Sequence, residues 1–449
     1  MSISIYTVEE AQARILRRYP LDQIEITPRL QASIARIFGE ALTPEAAVQR
    51  ILHDVRAGGD TALLDWIERI DGHRLQASQL VVTAGEIQAA YAEVDERVVK
   101  AMQTAAERIE AFHRRQPVTS WIDTQLGGVL GQMVSPIERV GVYCPAGTAP
   151  LPSSLLMSAI PARVAGVREI TACSPADRNG KVHPLILVAA DIAGVDRVLR
   201  IGGAQAIAAL AYGTETVRPV DKIVGPGNIF VVLAKRAVYG TVGIEGLPGP
   251  TETLVIADST ANPAFAAADL LAQAEHDVLA SAILLTPDAE LARKVQTEVE
   301  RQLSTLSRQE ILAESLGNRS GIVIVDSLQQ ACELANTYAP EHLCLLVEQP
   351  WQLVPHIRNA GGIFLGEYSF EVLGDYVAGP SHVMPVGGTA RFASPLNVLD
   401  FVKLTSLIDL SRADAVALSA PAAELARAES LTAHEAAARQ RTRTNGRAE

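Results

Sequence analysis

Short apolar runs alternate with helical patterns along most of the chain after about residue 120. This alternation predicts βαβ units and mostly parallel sheets. Nine strands are many for one sheet, so we expect two sheets, divided in the stretch Lys235–Glu252, where Gly and Pro concentrate. The predicted strands are Arg139–Tyr143, Glu169–Cys173, Val198–Ile201, Lys222–Val224, Thr253–Ala257, Ala282–Leu285, Gly321–Val325, Leu343–Val347 and Gly362–Leu365.

The first 120 residues have a mainly helical pattern. Thr43 before Pro44 is typical of a helix start, and the pair Gly58-Gly59 is typical of a helix stop. Residues 84–113 form a long charged helical pattern. This region therefore adds helices to the predicted α/β body.

The C-terminal region is also predicted to be helical, over residues 396–408 and 413–440. Its Ala-rich composition favours helix but buries little surface alone, so the helices need a surface to pack on. A hairpin turn is predicted separately at Gly127-Gly128. The fold class is thus α/β, with two Rossmann-like, mostly parallel sheet domains and small N-terminal and C-terminal helical extensions.

Composition restricts the function classes. The chain has 39 Lys and Arg against 51 Asp and Glu, a net charge of −12, which argues against nucleic-acid or anionic-membrane partners. No apolar run approaches the roughly 20 residues of a membrane span. The four cysteines show no C-x-x-C spacing, which favours free thiols in a reducing, cytoplasmic compartment.

A helical stretch near residue 270 carries two ligand-type side chains. Gln273 and His276 lie three residues apart, so on a helix they share one face, about 5–6 Å apart at Cβ. An amide oxygen and an imidazole side by side could form half of a metal site. The alternative is a core helix that ends on a hydrogen-bonded histidine.

Three Gly-rich loops follow predicted strands in succession, at Gly141–Pro150, Gly202–Gln205 and Gly225–Asn228. A strand, a loop of small residues and a helix together aim free N–H groups at an anion. Three such strand ends predict a cleft for a phosphorylated ligand. Ordinary βα turns are the alternative.

A carboxylate and an imidazole stand together at Glu341-His342, between a helix and a strand. This pair of groups is suited to general acid–base catalysis near neutral pH. Other candidates with Gly, Pro or acidic neighbours are Asp375, His382, Glu429 and His434.

Several long motifs occur in order from about Arg139 to His434. They are Tyr143–Gly147, Gly202–Ala211, Gly225–Asn228, Gly249–Glu252, Gln273–His276, Tyr338–Leu343, Leu373–Tyr376 and Gly387–Phe392. Together these motifs resemble the histidinol dehydrogenase family. The resemblance covers some two thirds of the chain, and motifs in sequence are far more specific than any single one.

The resemblance implies one zinc per active site and oxidation of L-histidinol to L-histidine by two NAD in succession. Glu341 and His342 would be catalytic. The zinc ligands would be Gln273, His276, Asp375 and His434. The NAD contacts would be Tyr143, Gln205 and Asn228. The substrate contacts would be Thr251, Gln273, His276, His342, Asp375, His382, Glu429 and His434.

The implied mechanism divides the work between two residues. His342 would take the alcohol proton as hydride leaves to the first NAD. Glu341 would activate water for attack on the aldehyde, and the hydrate would give its hydride to the second NAD. Zinc would hold the substrate and position the reacting carbon.

The resemblance also implies a homodimer in which the C-terminal unit crosses to the partner subunit. Glu429 and His434 would then act in the partner's site. The predicted domains are an N-terminal helical arm at 1–30, a metal and catalytic α/β domain at 31–138 and 250–385, an NAD-binding α/β domain at 139–249, and a C-terminal helical unit at 386–449.

The chain departs from the family pattern at Ala146, Thr251 and Ser381, where Gly, Ser and Asn are usual. None of these changes removes a proposed ligand or catalytic position. They leave open a related zinc- and NAD-dependent dehydrogenase of another small polar alcohol. A covalent mechanism with Cys144 as nucleophile, and a nucleotide-binding or metal-sensing module without catalysis, are further alternatives.

Overall fold

This computed structural model describes residues 3–18, 28–146 and 150–442. Residues 147–149 of the first predicted Gly-rich loop lie outside the described residues. Within the described residues, no helix combines the length and apolar character needed to cross a membrane.

The chain divides into two compact units. One comprises Met1–Gln116 and Ile137–Phe401, and the other comprises Pro117–Pro136 and Val402–Glu449. The candidate catalytic and NAD-binding residues all belong to the first unit, which is the larger one.

Strands and helices alternate along most of the described chain. The strands are β1 Ile5–Thr7, β2 Trp121–Asp123, β3 Val129–Pro136, β4 Arg139–Tyr143, β5 Glu169–Cys173, β6 Arg197–Leu199, β7 Lys222–Val224, β8 Gly243–Ile244, β9 Glu252–Ala257, β10 Ser281–Thr286, β11 Gly321–Ile324, β12 His342–Leu346, β13 Gly362–Leu365 and β14 Val402–Asp409. The helices are α1 Val8–Ala13, α2 Pro28–Phe38, α3 Pro44–Asp71, α4 Ala84–Ala90, α5 Glu96–His113, α6 Pro152–Ala165, α7 Pro184–Ile192, α8 Gly203–Tyr212, α9 Ile229–Val238, α10 Pro263–Ala274, α11 Ala289–Leu303, α12 Gln309–Asn318, α13 Leu328–Tyr338, α14 Pro350–Leu353, α15 Glu371–Tyr376, α16 Arg412–Ala428 and α17 Thr432–Thr442.

The first sheet has six parallel strands in the order β1-β11-β10-β9-β12-β13. Successive side chains point to opposite faces, so Leu254 and Ile256 of β9 enter one apolar core while Val255 and Ala257 enter another. Because helices cover both faces of the sheet, the central strands consist mainly of apolar residues.

The second sheet has five parallel strands in the order β6-β5-β4-β7-β8. Val140 and Val142 of β4 pack into one core, and Tyr143 packs into the core on the other face. The chain leaves β4 towards β5 and β6 and then returns to β7 on the opposite side of β4. This reversal places a crevice at the carboxyl ends of β4 and β7, where open α/β sheets bind ligands.

The structure confirms the two mostly parallel sheets, and each of the nine predicted strands is present with small shifts at the ends. The change of sheet falls between β8 and β9, within the Gly- and Pro-rich stretch. The domain limits themselves stay a prediction.

The N-terminal third differs from the expected arrangement in three ways. The segment 1–30, predicted as a helical arm, contains strand β1, which pairs with β11 in the first sheet. Helix α3 starts after the Thr43 cap, but it continues past Gly59, which has φ 54° and kinks the helix instead of ending it. In addition, α3 packs against α8 and α9, and α5 packs against α6. These helices therefore cover the second sheet, although the segment 31–138 was predicted to belong with the first.

The smaller unit contains an antiparallel sheet in the order β14-β3-β2, and Gly127-Gly128 forms the predicted turn between β2 and β3. The predicted helix over 396–408 is wrong. Residues Val398–Phe401 form one 3-10 turn, and β14 pairs with β3 from Val402 opposite Pro136 to Asp409 opposite Val129. Strand pairing satisfies the backbone polar groups of both segments. The predicted helices at 413–440 are present as α16 and α17.

Candidate active site

The candidate catalytic pair lies at the amino ends of the strands of the first sheet. His342 begins β12, Glu341 precedes it, and Thr251 lies just before β9. Because β9 and β12 are neighbouring parallel strands, these residues meet at the same end of the sheet, where both strands begin. Both members of the pair are buried, with Glu341 6% and His342 3% exposed.

Two hydrogen bonds hold the Glu341 carboxyl. Its Oε2 accepts from the Thr251 hydroxyl at 2.5 Å and from the Glu252 backbone N–H at 3.0 Å. Burial raises the pKa of Glu341 to about 7, and the opposing influence of His342 and of the two hydrogen bonds does not cancel it. A carboxyl with a pKa near the operating pH is suited to act as a general base.

The His342 ring is oriented by its Nδ1 atom. Nδ1 lies 3.3 Å from the Glu252 carbonyl oxygen, a contact that assigns the proton to Nδ1 and leaves Nε2 as the basic nitrogen. Nε2 is buried without a hydrogen-bond partner and lies 3.6 Å from Asp375 Oδ1. Burial lowers the pKa of His342, but the carboxylates of Glu371, Glu341 and Asp375 outweigh burial and raise it.

Three of the proposed metal ligands belong to the larger unit, and Asp375 lies beside the catalytic pair. Gln273 is fully buried at the end of α10, and neither of its amide atoms has a hydrogen-bond partner. His276 Nδ1 bonds to the Ala272 carbonyl at 3.1 Å, which leaves Nε2 available. Burial raises the pKa of Asp375, but nearby His342, His382 and His276 outweigh it and lower the pKa.

The His276 imidazole lies close enough to the Asp375 carboxylate to help lower its pKa, and the Gln273 amide comes three residues before His276 in the chain. Within the described residues, no group of three His, Cys, Asp or Glu side chains is arranged to hold a metal ion. The predicted site uses only two such residues from this unit, His276 and Asp375, together with the Gln273 amide. The unpaired Gln273 amide is the observation that fits a missing ligand, since buried polar atoms normally have partners.

His382 links the loop that follows α15 to helix α6. Its Nδ1 donates to the Asp375 carbonyl at 2.7 Å, and its Nε2 accepts from the Ser154 hydroxyl at 3.2 Å. The neighbouring Ser381 hydroxyl donates to the Met157 carbonyl at 3.1 Å. The departure from the family at Ser381 thus serves a satisfied structural contact.

The three proposed NAD contacts lie at the carboxyl edge of the second sheet. Tyr143 ends β4, and its hydroxyl oxygen accepts from the Gly203 N–H at 3.1 Å. Gln205 lies in the first turn of α8, fully buried, and neither amide atom has a hydrogen-bond partner. Asn228 caps α9, with Oδ1 accepting from the N–H groups of Phe230 and Val231.

Gly225 brings these loops together. It has φ +112°, and a Cβ there would lie 2.1 Å from the Tyr143 carbonyl oxygen. Only glycine therefore fits between β4 and β7 at this crevice.

The remaining predicted residues, Glu429 at the end of α16 and His434 in α17, are exposed members of the smaller unit. Their contribution to a partner's site stays a prediction.

Comparison with known proteins gives a consistent result. The family model described as histidinol dehydrogenase matches residues 39–442. The histidinol dehydrogenase of Deinococcus radiodurans is 52% identical over 434 residues, covering 96% of this chain and 98% of that protein. The protein of the same name from Moorella thermoacetica is 53% identical over 390 residues, covering 87% and 92%.

The chain belongs to the histidinol dehydrogenase family. This membership confirms the resemblance seen in the motifs and makes the chain an oxidoreductase. A crystal structure of histidinol dehydrogenase from Elizabethkingia anophelis has the same fold, with a TM-score of 0.89 at 35% identity and 98% coverage of both chains.

Two further residues, Glu371 and Arg18, lie around the candidate catalytic pair and were not among the predicted site residues. Glu371 is 1% exposed, lies 3.9 Å from His342 Nδ1, and accepts a hydrogen bond from the Thr253 hydroxyl. Its spacing of four residues from Asp375 is a signal for one helix face. Arg18 of the N-terminal arm pairs with Glu252, a contact that sequence spacing does not indicate.

The covalent alternative loses support from the surroundings of Cys144. Its thiol is fully buried, and burial raises its pKa to about 12. The Sγ atom donates to the Leu151 carbonyl at 3.5 Å. A thiol in this environment stays protonated near neutral pH, whereas a nucleophilic cysteine requires the thiolate.

Proposed function

We propose that this protein oxidises L-histidinol to L-histidine, with one zinc per subunit and two NAD consumed in succession, in the last steps of histidine biosynthesis. The observation that carries the proposal is the buried Glu341–His342 pair beside Asp375, whose Oδ1 lies 3.6 Å from His342 Nε2. A further proposed ligand, Gln273, is buried with no partner for its amide.

The donor set suits zinc. Gln273, His276 and Asp375 would hold the ion from this subunit, and His434 of a second subunit would complete the set. An arrangement of nitrogen and oxygen ligands with positions left for substrate is typical of catalytic zinc. Bound zinc would supply positive charge and position the amino alcohol, and each NAD would accept one hydride.

His342 performs the first proton transfer in this proposal. Its Nδ1 is held by the Glu252 carbonyl. Because the surrounding carboxylates raise the pKa of His342, the ring must first release its Nε2 proton. The neutral Nε2 then accepts the hydroxyl proton of histidinol as the carbon loses hydride. The product is the aldehyde. The buried position of the ring excludes competing water and keeps Nε2 directed at the bound alcohol.

Glu341 performs the water step. Thr251 and the Glu252 N–H both bind Oε2, which fixes the carboxylate in place. Glu341 then takes a proton from the water that attacks the aldehyde, and the hydrate forms. His342 releases its first proton to solvent and then accepts the hydrate's hydroxyl proton as the second hydride leaves. The carboxylic acid formed loses its own proton to give L-histidine.

The cofactor would bind at the crevice between β4 and β7. Tyr143, Gln205 and Asn228 follow three strands that end at this edge, and the N-terminus of α8 favours a pyrophosphate. A homodimer follows from the proposal because Glu429 and His434 are needed at the partner's site to complete it.

The stoichiometry of NADH formation tests the proposal. We expect two NADH per L-histidinol with the purified enzyme, loss of turnover after chelator treatment, and recovery on adding zinc. Simple amino alcohols and sulfonated diols serve as comparison substrates. One NADH per substrate, full activity without metal, or faster turnover of a comparison alcohol would contradict the proposal.

A further inference from the structure

A group of polar side chains without hydrogen-bond partners lies beside Gln205 and is not used by the proposed chemistry. Asp71 is the last residue of α3, and its Oδ2 is buried and unpaired. His73 is 7% exposed, and both of its ring nitrogens are unpaired. Both amide atoms of the fully buried Gln205 are also unpaired.

Helix α3, which ends at Asp71, packs against α8, which carries Gln205 in its first turn, and His73 follows Asp71 by two residues, so we treat the three side chains as one cluster. Burial raises the pKa of Asp71 to about 6, and His73 and Gln205 are close enough to oppose that rise. The Gln205 amide is close enough to lower the pKa of the Asp71 carboxyl, but the contact does not have the geometry of a hydrogen bond. Asp71 also lies close enough to Tyr143 to help raise the pKa of its phenol, behind the larger effect of burial.

Folding alone gives no reason to keep such a cluster. Unpaired buried polar groups are unfavourable, and a carboxylate at the C-terminal end of a helix also opposes the helix dipole. Three such side chains together indicate that the missing partners belong to a ligand. The cluster lies next to the start of α8, at the edge of the second sheet where the cofactor is proposed to bind.

The hydrogen-bond donors and acceptors of the cluster indicate which chemical group of a ligand would bind there. A carboxylate accepts two hydrogen bonds, which suits a pair of adjacent hydroxyl groups, and an amide and an imidazole add one donor or acceptor each. A phosphate at this position would face the negative charge of Asp71. The chemistry therefore fits a ribose diol and disfavours a phosphorylated ribose.

We propose that Asp71, flanked by His73 and Gln205, binds ribose hydroxyl groups of NAD and selects NAD against its 2′-phosphorylated form, NADP. The inference rests on the proposed NAD site at Tyr143, Gln205 and Asn228. It adds a specificity-determining residue contributed by a helix that precedes the sheet in the chain.

The test measures binding of NADH and NADPH by fluorescence titration, so it does not depend on turnover. Asp71→Asn should raise the Kd for NADH about tenfold or more, because a hydrogen bond to a charged group is lost. The Kd for NADPH should stay the same or fall, so the preference for NADH narrows. Asp65→Asn, on the exposed side of the same helix, should change neither value.

Thermal unfolding separates a binding role from a structural one. The pKa of Asp71 is raised in the folded state, so its ionised form lowers stability as the pH rises from about 4 to above 6. Asp71→Asn should therefore have an equal or higher Tm than the wild type, with the difference growing over that pH range. A lower Tm at neutral pH would overturn the ligand-binding role.

Three further variants distinguish the ribose assignment from the proposed NAD site on which it rests. If Tyr143→Phe and Gln205→Leu weaken NADH binding but Asp71→Asn and His73→Phe do not, the ribose assignment is wrong and the NAD site stands. If none of the four variants weakens NADH binding, the NAD site itself is wrong. Weaker binding in all four, with the loss of preference confined to Asp71→Asn, supports both.

Discussion

A buried ion pair holds the loop that carries Asn228, and its removal leads to a sharp prediction. Lys235 Nζ lies 2.6 Å from Glu245 Oε2, with side chains 0% and 7% exposed. Nζ also donates to the Gly225 carbonyl at 3.2 Å, and the Gly225 N–H donates to Glu245 Oε1 at 2.7 Å. The pair therefore binds both backbone polar groups of the residue that joins β7 to the NAD loop.

The expected loss of stability follows from the burial of the Lys235–Glu245 pair. Glu245→Gln leaves an ammonium group buried without a countercharge, and we expect it to lower the free energy of unfolding by about 3–5 kcal/mol. Lys235→Met should have a similar effect because it leaves the carboxylate unpaired. The double variant Lys235→Met with Glu245→Gln should lose only about 1–2 kcal/mol, since no unpaired charge remains and Gln still accepts from Gly225.

Urea unfolding of the four proteins, followed by circular dichroism, measures these differences. Glu40→Gln in the exposed pair with Arg50 is the matched control and should leave the midpoint nearly unchanged. NADH binding should weaken in both single variants and recover partly in the double variant. The reasoning is refuted if the double variant is less stable than either single variant, or if both single variants unfold like the wild type.

Two predictions concern the catalytic pair. Glu371→Gln keeps an acceptor for Thr253 but removes the charge near His342 Nδ1, so kcat should fall about tenfold or more while KM for histidinol changes about twofold at most; a change confined to KM would contradict this positioning role. Glu341→Gln removes the carboxyl held by Thr251, so a rapid-quench assay should show one NADH per site and slow formation of the second. Equal slowing of both oxidations would count against Glu341 as the base for water.

The strand pattern was predictable because apolar runs report burial directly. β9 and β12 lie inside a sheet covered on both faces, so most of their residues form short apolar runs, Leu254–Ala257 and Leu343–Leu346. β14 escaped prediction because its residues after Val402 are exposed, and its strand conformation depends on pairing with β3 rather than on an apolar pattern. The kink at Gly59 likewise lies beside a residue that is distant in the chain, because the Asp60 backbone N–H donates to the Glu215 carboxylate, and local spacing does not report such a contact.

By itself, the sequence determined the two-sheet α/β class, the adjacency of Glu341 and His342, and, through its motifs, the family. The helix predicted to carry both Gln273 and His276 ends at Ala274, before His276. Only the tertiary structure placed Glu371 and Arg18 around the catalytic pair and brought Asp71 and His73 beside Gln205. The reason is physical. Periodicity and spacing describe which residues share a local face, whereas a buried unpaired atom is defined by groups that are distant in the chain and meet only after folding.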